Sequence, residues 1–91
     1  MSVFGVEKAL YDLSMSGKTR KAYSGDPDAF LAAYNISEDE ARDIKAFQVA
    51  NILALGVNPM LVMGFWLQLE PGHSLKQYLR AISAAPTAGE H

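Results

Sequence analysis

The tetrapeptide Ser16-Gly17-Lys18-Thr19 has the form of the end of a phosphate-binding loop. That loop needs a second glycine five positions earlier, where this chain has Asp12, and a strand leading into it, where nothing alternates in a strand-like way. The quartet therefore reads as a turn followed by a basic helix start. Two histidines are present, His73 and His91, and no cysteine, so thiolate nucleophiles, disulfides and Cys-ligated metals are excluded. His91 lies at the end of a segment without periodicity, and a lone His73 among scattered carboxylates does not make a two-His, one-carboxylate iron site. His73 does stand in a loop, Pro71-Gly72-His73-Ser74, between two apolar periodic stretches. Loops on a rigid scaffold commonly display functional groups, and an ordinary histidine titrates near 6.5, suited to proton transfer or hydrogen bonding. Trp66, Phe65, Met60 and Met63 form the other cluster of note, readable as core or as an adaptable binding surface.

These residues depend on helices for their placement. Val3, Val6, Leu10 and Leu13 make one apolar stripe of a first helix that ends within residues 14–17, and a short basic segment, residues 18–24, follows. Asp26-Pro27 opens a second helix with Phe30, Leu31 and Tyr34 on its apolar face, and Asn35 suits the left-handed position that ends it. Ser37 with Glu40 three residues on is a capping box for a third helix. That helix is expected to run on into residues 46–69, a stretch of 24 without a charge, and to stop near Gly56. Asn58-Pro59 restarts the chain as a fourth helix, with Asn as N-cap and Pro in the first turn. Ser74 caps a fifth, whose Leu75, Tyr78, Leu79 and Ile82 share a face. The expected fold is all-α, a compact bundle of about five short helices in irregular orthogonal packing. The domain is expected to span residues 1–83, and residues 84–91 to form a flexible tail.

An uncharged run this long has the length of a membrane span. Asn51, Asn58 and Gln68 inside it are amides that hydrocarbon would leave unpaired, so a buried hairpin is expected instead. Helices apolar on every face are buried in a core or under a partner. In a chain of 91 residues the hairpin is expected to carry a subunit contact, anchored on Phe65 and Trp66; the alternative is that both rings fill the chain's own core. A net charge of −2 carries no signal for nucleic acid or anionic membranes. With no basic segment followed by an apolar one at the N-terminus, a cytoplasmic location is expected.

Three blocks resemble a known family. Residues 20–40, from Arg20-Lys-Ala-Tyr23 through Asp26-Pro-Asp-Ala-Phe30 to Ile36-Ser-Glu-Asp-Glu40, are similar to the small helical α subunit of protocatechuate 4,5-dioxygenase. That subunit is the non-catalytic partner in class III extradiol ring-cleavage dioxygenases. Leu55-Gly56-Val57-Asn58-Pro59 looks like that family's turn between two apolar helices, and Gly72-His73-Ser74-Leu75 falls where its members carry a Gly-x-Ser-aromatic loop. The chain differs at Gln48-Val49, which stand in place of an acidic-aromatic pair, and at Met60 and Leu75, each in place of an aromatic residue. An aliphatic Leu75 cannot stack on an aryl substrate.

The resemblance implies a division of labour. A larger catalytic subunit holds a non-haem Fe(II) on two histidines and a glutamate and opens catechol rings with O2. The small subunit binds no cofactor and is inactive alone. Gly72, His73, Ser74 and Leu75 would belong to a lid over the partner's active-site mouth; Gly56, Asn58 and Pro59 would hold the hairpin; Met60, Met63, Phe65 and Trp66 would face the partner. A homodimer of the isolated chain is a further association it allows. A different class of reading keeps the fold and changes the partner: a free-standing helical interaction module, such as the recognition domain of a peptide substrate for a modifying enzyme.

Overall fold

Val6, Ala9, Leu10 and Leu13 are fully buried along one face of the first helix, as the stripe from Val3 requires. A computed structural model of the chain describes residues 3–70 and 72–83. The expected tail, residues 84–91, lies outside the described residues, as does Pro71. Among the described residues every regular element is helical: α1 (Val3–Met15), α2 (Gly17–Gly25), α3 (Pro27–Ala32), α4 (Glu38–Lys45), α5 (Val49–Ala54), α6 (Pro59–Leu69) and α7 (Leu75–Ile82). The chain is an all-α bundle, as expected, with more elements than the five read from periodicity.

Two local events account for the extra helices. The basic segment is itself helical: Ser16 Oγ accepts from the Thr19 amide at 3.3 Å and caps α2, so the phosphate-loop lookalike is a helix start. Lys18 and Lys21 are exposed, Arg20 turns back to donate to the Leu13 and Ser14 carbonyls at 2.9 and 3.1 Å, and only Tyr23 is buried. The helix expected from Ser37 to Gly56 breaks between α4 and α5. There Phe47 adopts φ 55°, a left-handed conformation that L side chains seldom take. The Gln48 amide bonds the Asp43 carbonyl at 2.9 Å and the Phe47 amide bonds the Ile44 carbonyl at 3.2 Å. This is the double-bonded C-terminal motif that glycine normally serves.

The other starts follow the sequence, but one stop does not: α3 ends at Ala32 with Ala33 as a right-handed C-cap, and Asn35 does not take the left-handed conformation expected of it. Asp26 caps α3 through the Ala29 amide, with Pro27 in its first turn. Ser37 and Glu40 exchange both capping-box bonds at 3.1 and 2.8 Å. Gly56 turns the chain with φ 96°, where a side chain would be strained. Asn58 Oδ1 then accepts from the Met60 amide at 2.9 Å, with Pro59 at the helix start. Glu7 on α1 reinforces that start by accepting the Asn58 amide at 2.8 Å.

Consecutive helices pack on one another, and α1 against α6 closes the circuit with the most extensive contact in the chain. The two run parallel: Glu7 meets Asn58 near their starts, and Ser14 meets Gly64 further along. A Cβ at Gly64 would lie 3.2 Å from Ser14 Oγ, so a small residue is what lets the helices approach. Asn51, an amide inside the uncharged run, is paired across the Phe47 break with the buried Asp43 carboxylate at 3.2 Å. No helix among the described residues is long and apolar enough to cross a membrane.

Candidate functional site

The loop joining α6 to α7 is built around Trp66 and His73. α6 ends at Leu69, so the carbonyl of Trp66 is among the four that lack a partner within the helix. His73 Nδ1 lies 2.9 Å from that carbonyl oxygen. A carbonyl only accepts, so Nδ1 carries the proton, and in the neutral ring Nε2 holds the lone pair. Trp66 Nε1 donates in return to the Ser74 carbonyl at 3.1 Å, and the His73 amide donates to the Glu70 carbonyl at 3.0 Å. Two of these hydrogen bonds thus tie the loop to Trp66 of α6, and the third closes a turn within the loop.

Aromatic faces fix the ring further. His73 stacks flat on Trp66, with centroids 3.8 Å apart and planes 10° from parallel. Phe47 meets it edge-on at 4.7 Å and 89°, stacks on Phe65 at 5.1 Å, and meets the Trp66 indole at 87°. The left-handed turn at Phe47 thereby delivers a phenyl ring to the wall of the histidine site. Tyr78 of α7 closes the far side, 6.0 Å from Trp66, and burial pushes its hydroxyl above the ordinary tyrosine range. His73 itself is half-buried. Nε2 makes no hydrogen bond among the described residues. The outcome is an imidazole held in one orientation and, when neutral, in one tautomer.

The rest of the loop divides by role. Ser74 Oγ is used locally, accepting from the Gln77 amide at 3.2 Å, while Gln77 Oε1 accepts the Ser74 amide at 2.9 Å. Gly72 and Leu75 are exposed, and Leu75 continues into Leu79 one turn on, at 52% and 54% exposure. His73 therefore sits at the edge of a small aliphatic strip on α7.

The other residues expected to contact a partner fall in different places. Phe65 is fully buried and Trp66 is 8% exposed, so both rings fill the chain's own core, and the contact anchored on them is replaced by the alternative reading. Met63 is half-buried, and Met60 is exposed. The turn at Gly56, Asn58 and Pro59 lies at the start of α6, about 16 Å of helix from the His73 loop at its end. The two expected site elements are joined through α6 and do not touch.

Phe47 is the site residue that sequence reasoning misses. Neither glycine nor asparagine marks its left-handed turn; the only trace is the end of the charged pattern at Lys45. Among the described residues no cluster of three or more His, Asp or Glu side chains is placed to share a metal ion. The chain matches no protein-family model, no curated protein and no solved structure.

Proposed function

We propose that this chain is the accessory, non-catalytic small subunit of a two-component, non-haem Fe(II) ring-opening dioxygenase of the cytoplasm, with the His73 loop as a lid beside the catalytic subunit's active site. The observation that carries the reading is the construction of that loop: an imidazole locked by Trp66 and Phe47, with Nδ1 bonded and Nε2 not engaged among the described residues, next to the exposed Leu75 and Leu79. A preorganised acceptor loses little conformational freedom on docking. The three sequence blocks add support, since the loop and the Gly56 turn stand in the order and spacing that the resemblance calls for.

In this reading the iron, the oxygen chemistry and the substrate ligands belong to the larger subunit. This chain's part is positional: Leu75 and Leu79 dock on apolar surface, Gly72 leaves room for close approach, and His73 accepts a hydrogen bond from a hydroxyl at the mouth. Met60 is available as a further contact. The test is co-expression with the protein encoded beside this chain, purification through a tag on this chain, and assay for iron and catechol ring opening. An iron-bearing, ring-opening complex supports the proposal. A partner that modifies peptides and carries no iron would favour the interaction-module reading instead.

A further inference from the structure

Helix α1 is apolar on two opposite faces. With successive residues about 100° apart around a helix, Val6, Ala9, Leu10 and Leu13 point to the core, while Phe4, Lys8, Tyr11 and Met15 point about 180° away. The face opposite the core is ordinarily polar. Here Phe4, Tyr11 and Met15 are 86%, 48% and 66% exposed. Their spacing of four, three and four residues is that of a coiled-coil seam, with Lys8 as its one charged position.

We propose that this seam binds the same seam of a second copy, antiparallel, about a two-fold axis crossing the middle of α1. The order of the four residues is what selects the arrangement. In the antiparallel register Phe4 faces the second copy's Met15, and Lys8 faces the second copy's Tyr11, each pair made twice. Every contact is then complementary. The Lys8 ammonium is ion-paired with Asp12 at 3.1 Å and lies 5.8 Å from the Tyr11 ring of its own helix, and the second copy offers it another aromatic face. A parallel pair would instead set Lys8 against Lys8, and opposed like charges are costly. The flanks agree: Asp12 falls opposite Gly5 and Glu7 opposite Ser14, so no like charges meet.

A second feature of the surface fits the same register. An open groove of about 680 Å³ adjoins Phe4 and Lys8, walled by Val3, Ala33 and Tyr34. Tyr34 is held in place by its hydroxyl, which donates to Asp12 at 2.6 Å. The antiparallel register brings the second copy's Met15 to the mouth of this groove, and an unbranched thioether adapts well to an irregular space. Four side chains from each copy place the contact at the small end of specific interfaces, under about 1,200 Å² in total, so a weak, reversible dimer is expected.

Sedimentation equilibrium of the full chain tests this. The wild type should dimerise with a dissociation constant between about 10 μM and 1 mM. Tyr11→Lys sets a lysine against the second copy's Lys8 and should weaken the dimer about 100-fold, with helicity and melting of the monomer preserved. Met15→Glu, at a more exposed position, should weaken it at least about tenfold. Lys8→Glu combined with Tyr11→Lys restores opposite charges across an antiparallel pair only, and should restore dimerisation. A wild type that is monomeric at about 1 mM overturns the proposal, since any affinity weaker than that is non-specific. A dimer indifferent to Tyr11→Lys and Met15→Glu overturns it equally. A folded double variant that stays monomeric overturns the antiparallel register.

Discussion

Replacing Phe47 by alanine and by glycine separates what its ring contributes from what its backbone costs. A non-glycine residue in the left-handed region is disfavoured by about 1–2 kcal/mol, and Phe47 at φ 55° carries that cost. Offsetting it are the stack on Phe65 and the edge contacts with Trp66 and His73. Such pairs contribute about 0.5–1.5 kcal/mol each beyond the area they bury. A fully buried Phe→Ala change costs about 3–5 kcal/mol; for the half-buried Phe47 about 2–3 kcal/mol is expected. Phe47→Gly loses the same ring but relieves the backbone, and should be more stable than Phe47→Ala by about 1 kcal/mol. Within a continuous helix the order reverses, with glycine about 1 kcal/mol worse than alanine. Urea unfolding of both variants, followed by far-ultraviolet circular dichroism, measures the difference. Alanine equal to or more stable than glycine would refute the left-handed turn and restore the uninterrupted helix that periodicity indicates.

Ser37→Ala should cost about 1 kcal/mol in the same assay, because its hydroxyl accepts the Glu40 amide in a complete capping box; unchanged stability would sink that assignment. Trp66→Ala should cost about 3–5 kcal/mol in thermal or urea unfolding, since the indole lies in the core; a variant that melts like the wild type would put the ring on a free surface. Burial, with the bond to Asp12, pushes the Tyr34 hydroxyl up to about 12 from an ordinary 10.0. The folded state therefore holds that proton more tightly than the unfolded chain, so the contribution is complete below pH 10 and lost between pH 10 and about 12. For Asp12, burial raises the carboxyl, but the Tyr34 hydroxyl and Lys8 outweigh it and hold the group below 3.8. Its contribution is present above 3.8 and disappears as pH falls through its lowered folded value. Melting temperature against pH should fall less at the alkaline end for Tyr34→Phe than for the wild type, the remainder coming from the raised Tyr23 and Tyr78 hydroxyls, and parallel curves would refute the coupling.

Caps and breakers were legible in the chain because they act locally. Ser37, Asn58, Pro59, Asp26 and Ser74 each satisfy or tolerate an orphan helix-end group within a few residues, so their meaning survives without the fold. Phe47 was not legible because its conformation is sustained by residues 18, 19 and 26 positions away, and local propensity opposes it. The basic segment shows a helix start at Ser16-Gly17 but no full helix by periodicity, because α2 buries only Tyr23 and has no apolar stripe. The uncharged hairpin reads from sequence as surface for a partner or as core; α1 packs on α6, and Phe65 and Trp66 lie in the core. The exposed apolar side chains lie largely elsewhere, on α1 and α7. Composition located the apolar residues; only packing shows which of them are already covered. For His73 the sequence indicated a loop position, while the flat stack on Trp66 and the bonded Nδ1 required the turn to be folded.

The proposed lid stands or falls with a complex. The tagged chain, co-expressed with the protein encoded beside it, is purified and assayed for bound iron and catechol ring opening, with wild-type His73 and with His73→Asn. Asparagine keeps a donor near the Trp66 carbonyl and lacks an acceptor at the Nε2 position. An iron-containing complex that opens the ring, slowed at least about tenfold by His73→Asn while still assembling, is the predicted result, a factor equal to about 1.4 kcal/mol at the transition state. A ring-opening complex indifferent to His73→Asn would contradict the role given to the loop, and a chain that joins no iron-bearing partner would contradict the function itself.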